Sequence, residues 1–323
     1  MHGKNSVYRR KDRHTNGHAD SNTSPSIVCM SRKDIKDPSG KVVMQVVEYD
    51  GFMFHVSTMG HIMEQLKQLK DMSFRDSDVC VISYPKSGTH WCCEVVRMLR
   101  NNSSEYHDML HPLIEVFPVE KLKQMSDGVF VSHLAPQHMP KDFMERKCKI
   151  INIYRNPKDV TVSYFNYVKK TKSGELMKDM EFDVFFNLFW TGQLRSCPWT
   201  KYIKEWTNYK EENPSHPLLN LCYEDMKKDL KTHVKKIADF LELHASDELV
   251  TEIANACEFK AMSAYKNSNI PAFMSIVTDV KDENIFYRKG EAGDWKNWLK
   301  VAQSEAVDAA VEAAKIPLDI KYT

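Results

Sequence analysis

The chain has 323 residues, 42% hydrophobic and 28% charged, a globular composition that excludes a disordered or fibrous protein. Its formal net charge of +1 gives no global attraction to nucleic acid or an anionic membrane, so any anion site must be built locally. No apolar run approaches the ~18 residues of a membrane span, no signal-peptide core follows Met1, and the cysteines show neither a CxxC pair nor metal-ligand spacing. These features predict a soluble, cytoplasmic protein with reduced thiols and no metal site.

Residues 1–38 are rich in Lys, Arg, Ser, Asn and His and lack apolar periodicity, so they read as a basic, disordered extension. Apolar runs at 42–47 and 52–56 flank Tyr49-Asp50-Gly51 and predict a β-hairpin. A helix over 61–69 leads into a first core strand at 79–83. Further short apolar runs recur at 129–131, 150–154 and 218–222, interspersed with helical patterns over 159–168, 200–209, 227–241 and 247–257. Buried-type strands alternating with helices predict a single α/β domain over 39–323, with a central parallel β-sheet flanked by helices.

The most informative segment is Tyr84-Pro85-Lys86-Ser87-Gly88-Thr89-His90-Trp91, between the first core strand and the next helix. A strand, a tight loop and a helix N-terminus aim backbone N–H groups at an anion. Pro85 stiffens the loop and Gly88 permits close backbone approach. Lys86 supplies a point charge, Ser87 and Thr89 supply hydroxyls, and Trp91 offers a face for a base. A Walker A loop places its lysine after the second glycine, and here the lysine comes first. No aspartate for magnesium follows an apolar strand in register either, which sets the P-loop kinase reading aside.

Two later segments carry the same kind of chemistry. In Arg155-Asn156-Pro157-Lys158-Asp159, Pro157 can start a helix with Asn156 as its cap. Arg155 and Ser163 then offer a forked donor and a hydroxyl, which suits a phosphate monoester. Near the C-terminus, Tyr287-Arg288-Lys289-Gly290-Glu291-Ala292-Gly293-Asp294-Trp295 combines adjacent bases, two glycines and aromatic anchors.

Together these segments resemble the cytosolic sulfotransferases, from about Val79 to the end of the chain. The first is similar to their YPKSGTxW loop, which holds the 5′-phosphosulfate. The second resembles their 3′-phosphate site, and the third their RKGxxGDW signature. The resemblance implies 3′-phosphoadenosine 5′-phosphosulfate (PAPS) as donor, 3′,5′-adenosine bisphosphate (PAP) as product, and no metal. It implies in-line sulfuryl transfer to a hydroxyl or amine of a small, largely apolar acceptor such as a phenol, steroid or alcohol. Lys86, Ser87, Gly88, Thr89, His90 and Trp91 would hold the phosphosulfate end, and Arg155, Ser163, Tyr287, Arg288, Lys289 and Gly290 the 3′-phosphate. Tyr223, Cys257 and Phe259 would sit with Trp91 around the adenine. His133 matches the family's catalytic base, and Lys86 and Ser163 complete the catalytic set. Tyr167 and Phe117 are the acceptor-pocket candidates, with Phe186 and Trp190 as further aromatic candidates.

Some positions depart from the family pattern. His90 replaces a hydroxyl residue, Cys257 stands where a threonine often helps bind adenine, and Val131-Ser132 precede His133 where phenol-type members carry Lys-Thr. Losing that lysine tilts the expectation toward a hydroxysteroid-like or alcohol acceptor. Residues 296–305 resemble a dimer motif, KxxxTVxxxE, with Lys300 in place of its threonine. The departures also keep an alternative in view, a nucleotide-binding protein of this family that does little chemistry.

Overall fold

The computed structural model describes residues 31–49, 51–55, 59–106, 112–194, 196–269 and 288–316. Residues 1–30 of the expected extension, and Tyr287, lie outside the described residues. Residues 31–36 do not belong to an extension: they form strand β1 (Ser31–Lys36). Only Ile35 is buried in this strand, so it gives no apolar alternation to read in the sequence. Pairing with β2 (Val42–Tyr49) holds it, helped by polar rungs such as Arg32 to Gln45 (2.9 Å) and Gln45 to Asp34 (2.7 Å). The expected hairpin follows, with β2 antiparallel to β3 (Phe52–His55) and Tyr49 opposite Phe52.

The central sheet is parallel, in the order β5-β4-β6-β7: β4 (Val79–Ile82), β5 (Val129–Ser132), β6 (Lys149–Tyr154) and β7 (Leu218–Cys222). Val79 sits opposite Val129 on one side and Lys149 on the other, and Ile150 opposite Leu218. Alternate residues enter different layers. Cys80, Ile82, Phe130 and Ile150 join one core, and Val79, Val81, Val131 and Ile151 the other. Both faces being covered explains why these strands are uniformly apolar.

The helices between β3 and β6 are α1 (Met59–Lys70), α2 (Thr89–Arg100), α3 (Val119–Lys123) and α4 (Lys141–Glu145). After β6 come α5 (Pro157–Val168), α6 (Phe182–Trp190), α7 (Trp199–Glu212), α8 (Tyr223–Lys228), α9 (Leu230–Leu241), α10 (Asp247–Ala256), α11 (Phe259–Ser268) and α12 (Val301–Ala314). The helix expected over 227–241 is broken at Asp229, whose φ of −145° is not helical and whose side chain caps α9 by accepting from Thr232 N. No described helix is long and apolar enough to cross a membrane.

The connection from β4 runs to β5 on one side, and that from β6 runs to β7 on the other. The crevice at the carboxyl ends of β4 and β6 is therefore the topological switch point, where open α/β sheets bind ligands.

Candidate active site

The loop after β4 is wound by two left-handed residues, Lys86 (φ 73°) and Gly88 (φ 105°). The lysine pays about 1–2 kcal/mol for that conformation, strain of the kind that collects at functional sites. A side chain at 88 has no room: a Cβ would lie 2.8 Å from the Tyr223 ring and 3.2 Å from Ile153. Gly88 is also the N-cap of α2, and no side chain caps this helix, so its first-turn N–H groups are left for an anion. Thr89 Oγ1 lies 2.5 Å from Ser83 Oγ. Ser87 Oγ and Arg155 Nε are buried with no hydrogen-bond partner. Buried polar atoms are rarely left so, and two beside one anion loop fit a phosphorylated ligand.

Arg155 directly follows β6 on the far side of the crevice. It donates to the carbonyls of Lys86 (3.3 Å) and Glu291 (2.9 Å), and its guanidinium lies 4.3 Å above the Tyr223 ring. Asn156 caps α5 by accepting from Lys158 N at 2.9 Å, as the sequence predicts. Asp159 in the first turn of α5 reaches the C-terminal loop, accepting from Gly293 N (2.6 Å) and Trp295 N (3.0 Å). That loop is braced from within by Asp294, which takes Arg288 Nη2 and Lys289 Nζ at 2.6 Å each and Asn297 Nδ2 at 3.1 Å. Burial alone would raise the Asp294 carboxyl's pKa, but the bonds from Lys289, Arg288 and Asn297 together hold it well below the usual range.

On the base side, Trp91 and Phe259 both line the cavity, with Tyr223 edge-on to Trp91 at 5.3 Å and 67°. Gly290 (φ 64°) lies so close to Phe259 that a Cβ would fall 2.0 Å from its ring. Cys257 acts differently from the sequence expectation. Its carbonyl accepts from Trp91 Nε1 (2.7 Å), while its fully buried thiol faces Met98 Sδ at 3.6 Å and does not line the cavity. Burial pushes that thiol's pKa up.

The cavity between these walls holds about 180 Å³. Lys86, Gly88, Thr89, His90, Trp91, His133, Arg155, Ser163, Tyr167, Tyr223, Phe259, Arg288, Lys289 and Gly290 all line it. Lys86 Nζ lies 4.3 Å from the Tyr167 ring centroid. Burial, then the charges of Arg155 and Arg288, lower its pKa to about 7. Burial, then Lys86 and His133, lower that of His90 to about 3, so His90 faces the crevice as a neutral imidazole. Of the aromatic candidates, Tyr167 lines the cavity. Phe117, Phe186 and Trp190 do not: Phe186 is buried core, Phe117 and Trp190 pack against that core, and Trp190 Nε1 donates to Thr161.

His133, just past β5, is oriented by two contacts. Its Nδ1 lies 2.8 Å from the Ser83 carbonyl, and its backbone N–H donates to Glu115 Oε1 at 2.9 Å. A carbonyl can only accept, so Nδ1 is the donor in this contact, and in a neutral ring the lone pair then lies on Nε2. The buried Glu115 also accepts from Ser132 Oγ (3.2 Å) and so fixes the strand end that presents the ring.

Sequence reading missed these supporting carboxylates: Glu115, Asp159, Asp294 and Glu224. Burial raises the pKa of Glu224, which accepts from Asn156 N at 3.0 Å. The available signal was an acidic residue inside each basic motif, Asp159 and Asp294, where adjacent cations need a counter-charge. Tyr164, Asn166, Lys170, Leu113 and Met262 also line the cavity without having been singled out.

Known proteins resemble this chain in sequence and in fold. The sulfotransferase domain family matches residues 76–316. A sulfotransferase 1B1 from Canis lupus familiaris is 34% identical over 261 residues, covering 75% of this chain and 84% of the relative. An amine sulfotransferase from Oryctolagus cuniculus is 34% identical, covering 80% and 88%. Among solved structures, mouse sulfotransferase SULT7A1 complexed with PAP superposes with a TM-score of 0.69 at 28% identity, covering 85% of this chain and 96% of that one. A retinol dehydratase complex with retinol and PAP, at a TM-score of 0.70 and 21% identity, shares the fold.

Proposed function

Because the chain belongs to the sulfotransferase family, we propose that it moves a sulfuryl group from PAPS to the hydroxyl or amine of a small, largely apolar acceptor. PAPS, when bound, supplies the sulfuryl group on a phosphate that can leave. The residues fit such a donor: an uncapped helix terminus, Lys86, Arg155 with its partnerless Nε, and the bases Arg288 and Lys289 lie on one crevice, while Ser87, whose buried Oγ is also partnerless, sits in the loop behind it and does not line the cavity. Ser163 adds a hydroxyl to the same cavity, and Trp91 and Phe259 offer faces for the adenine.

The observation that carries the reading is the 2.8 Å contact of His133 Nδ1 with the Ser83 carbonyl, on the same cavity as Lys86. With Nδ1 committed to the Ser83 carbonyl, Nε2 of the neutral ring is the atom that removes the acceptor proton as the acceptor oxygen forms its bond to sulfur. The bond from sulfur to the phosphate oxygen breaks in the same step. Charge gathers on that oxygen, where the Lys86 ammonium and the loop N–H groups offset it. Tyr167, stacked against Lys86, would form the acceptor's wall.

A paired measurement on His133→Ala tests this. Turnover should fall by about 10²–10⁴-fold, the usual worth of a positioned base, while PAP binding stays at the wild-type level. Unchanged turnover would remove His133 from the chemistry. Wild-type protein that binds PAP yet sulfates no phenol, alcohol, steroid or amine would instead be a nucleotide-holding member of the family. ATP binding as tightly as PAP would overturn the 3′-phosphate assignment.

A further inference from the structure

The base side of the cavity is braced by an ion pair that no step above uses. Glu94 lies one turn beyond Trp91 on α2, is 0% exposed, and holds its Oε2 3.0 Å from Lys266 Nζ. Lys266 belongs to α11, where Phe259, Met262 and Lys266 fall at i, i+3 and i+7 and therefore share one face. The first two line the cavity. The Lys266 ammonium also sits 5.7 and 5.8 Å from the ring centroids of Tyr106 and Tyr265, which stack at 4.2 Å and 19°. The Tyr106 hydroxyl in turn donates to the carbonyl of Ala256 at the end of α10.

A buried ion pair adds little net stability over apolar packing, because desolvation offsets the attraction; what it can specify is relative placement. Placement is what this site requires. Trp91 and Glu94 ride on α2, rigid with the phosphate loop, and Phe259 and Lys266 ride on α11. The Glu94–Lys266 contact thus fixes how far α11 stands from α2. We infer that Glu94 and Lys266 are positioning residues that set the width of the base slot between Trp91 and the Phe259–Met262 face. The inference rests on the nucleotide reading of the cavity and adds how this chain tunes its grip on the base.

The test compares PAP with ribose 3,5-bisphosphate, a probe that keeps both phosphates and lacks the base, by calorimetry on the full chain. K266M should bind PAP about tenfold more weakly and the base-free probe as wild type does, with an unchanged near-UV spectrum. K266R should retain wild-type PAP affinity. The double variant E94Q/K266M leaves no lone buried charge, so it should fold even where K266M does not, and it should show the same base-specific loss. An equal loss for both probes, or none for either, overturns the inference. Wild-type protein that fails to prefer PAP over the base-free probe overturns the nucleotide reading itself, and this inference with it.

Discussion

Lys86 gives the sharpest quantitative expectation. Burial and the neighbouring Arg155 and Arg288 lower its pKa to about 7 in the unliganded protein. At pH 8 only about a tenth of Lys86 is then protonated. A dianionic phosphate in the loop restores the charge, so PAP binding at pH 8 should take up roughly 0.9 proton from the buffer. The same linkage should weaken PAP binding roughly eightfold between pH 7.5 and 8.5. Stability of the unliganded chain moves the other way. Unfolded Lys86 keeps its proton up to its ordinary value of 10.5 while the folded group sheds it near 7, so Lys86 makes the folded state more stable as pH rises across that window. Calorimetry in buffers of different ionisation enthalpy reads the uptake directly. Lys86→Met should abolish it, and Lys86→Arg should abolish it too because a guanidinium stays charged. A buffer-independent enthalpy for wild type, or the same uptake in Lys86→Met, would refute the reasoning.

Other perturbations act on separate parts of the site. Trp91→Ala should weaken PAP by roughly 5- to 150-fold, the worth of one stacked base, with little effect on ribose 3,5-bisphosphate; equal losses for both would remove Trp91 from the base site. Gly290→Ala adds a Cβ at 2.0 Å from Phe259 in a left-handed backbone, and titration should show PAP affinity reduced by about tenfold or more. Asp294→Asn removes a carboxylate whose lowered pKa stabilises the fold above its unfolded value near 3.8 and is lost as pH falls below it. Urea titrations at pH 6 and pH 3 should therefore show a smaller acid-induced loss of stability in Asp294→Asn than in wild type.

The parallel sheet was legible because its strands are buried on both faces and therefore apolar without interruption, as in Val79–Ile82. The loops that line the crevice were legible because they set distinctive residues close together, Lys86 with Gly88 and Arg288 with Gly290, and all four face one cavity. Strand β1 was not, since its partner and not its own pattern holds it. Nor was the break at Asp229, where a capping aspartate interrupts an otherwise continuous helical run. Within the site, one-dimensional reading placed Phe117 in the cavity and gave Cys257 a side-chain role. Both errors concern which way a residue faces, which packing decides: Phe117 packs against the core, and Cys257 offers its carbonyl. The bracing carboxylates escaped for a related reason, because Asp159 meets its partners 134 and 136 positions away.

That separation has a consequence for how the protein comes into being. The anion crevice is closed by Arg155 and Asp159 reaching for backbone groups at 291, 293 and 295, while Lys158 ties α5 to Asp308 of α12 at 2.7 Å. Translated at 5–20 residues per second, the chain spends roughly 8–31 s with the first of these groups, Arg155, made and the last, Asp308, not. Once β7 is made the sheet is complete in sequence, while the crevice still lacks the C-terminal loop that closes it. A chain ending before Gly293 would leave Asp159 without the Gly293 and Trp295 N–H groups, and one core without Val307 and Val311 of α12.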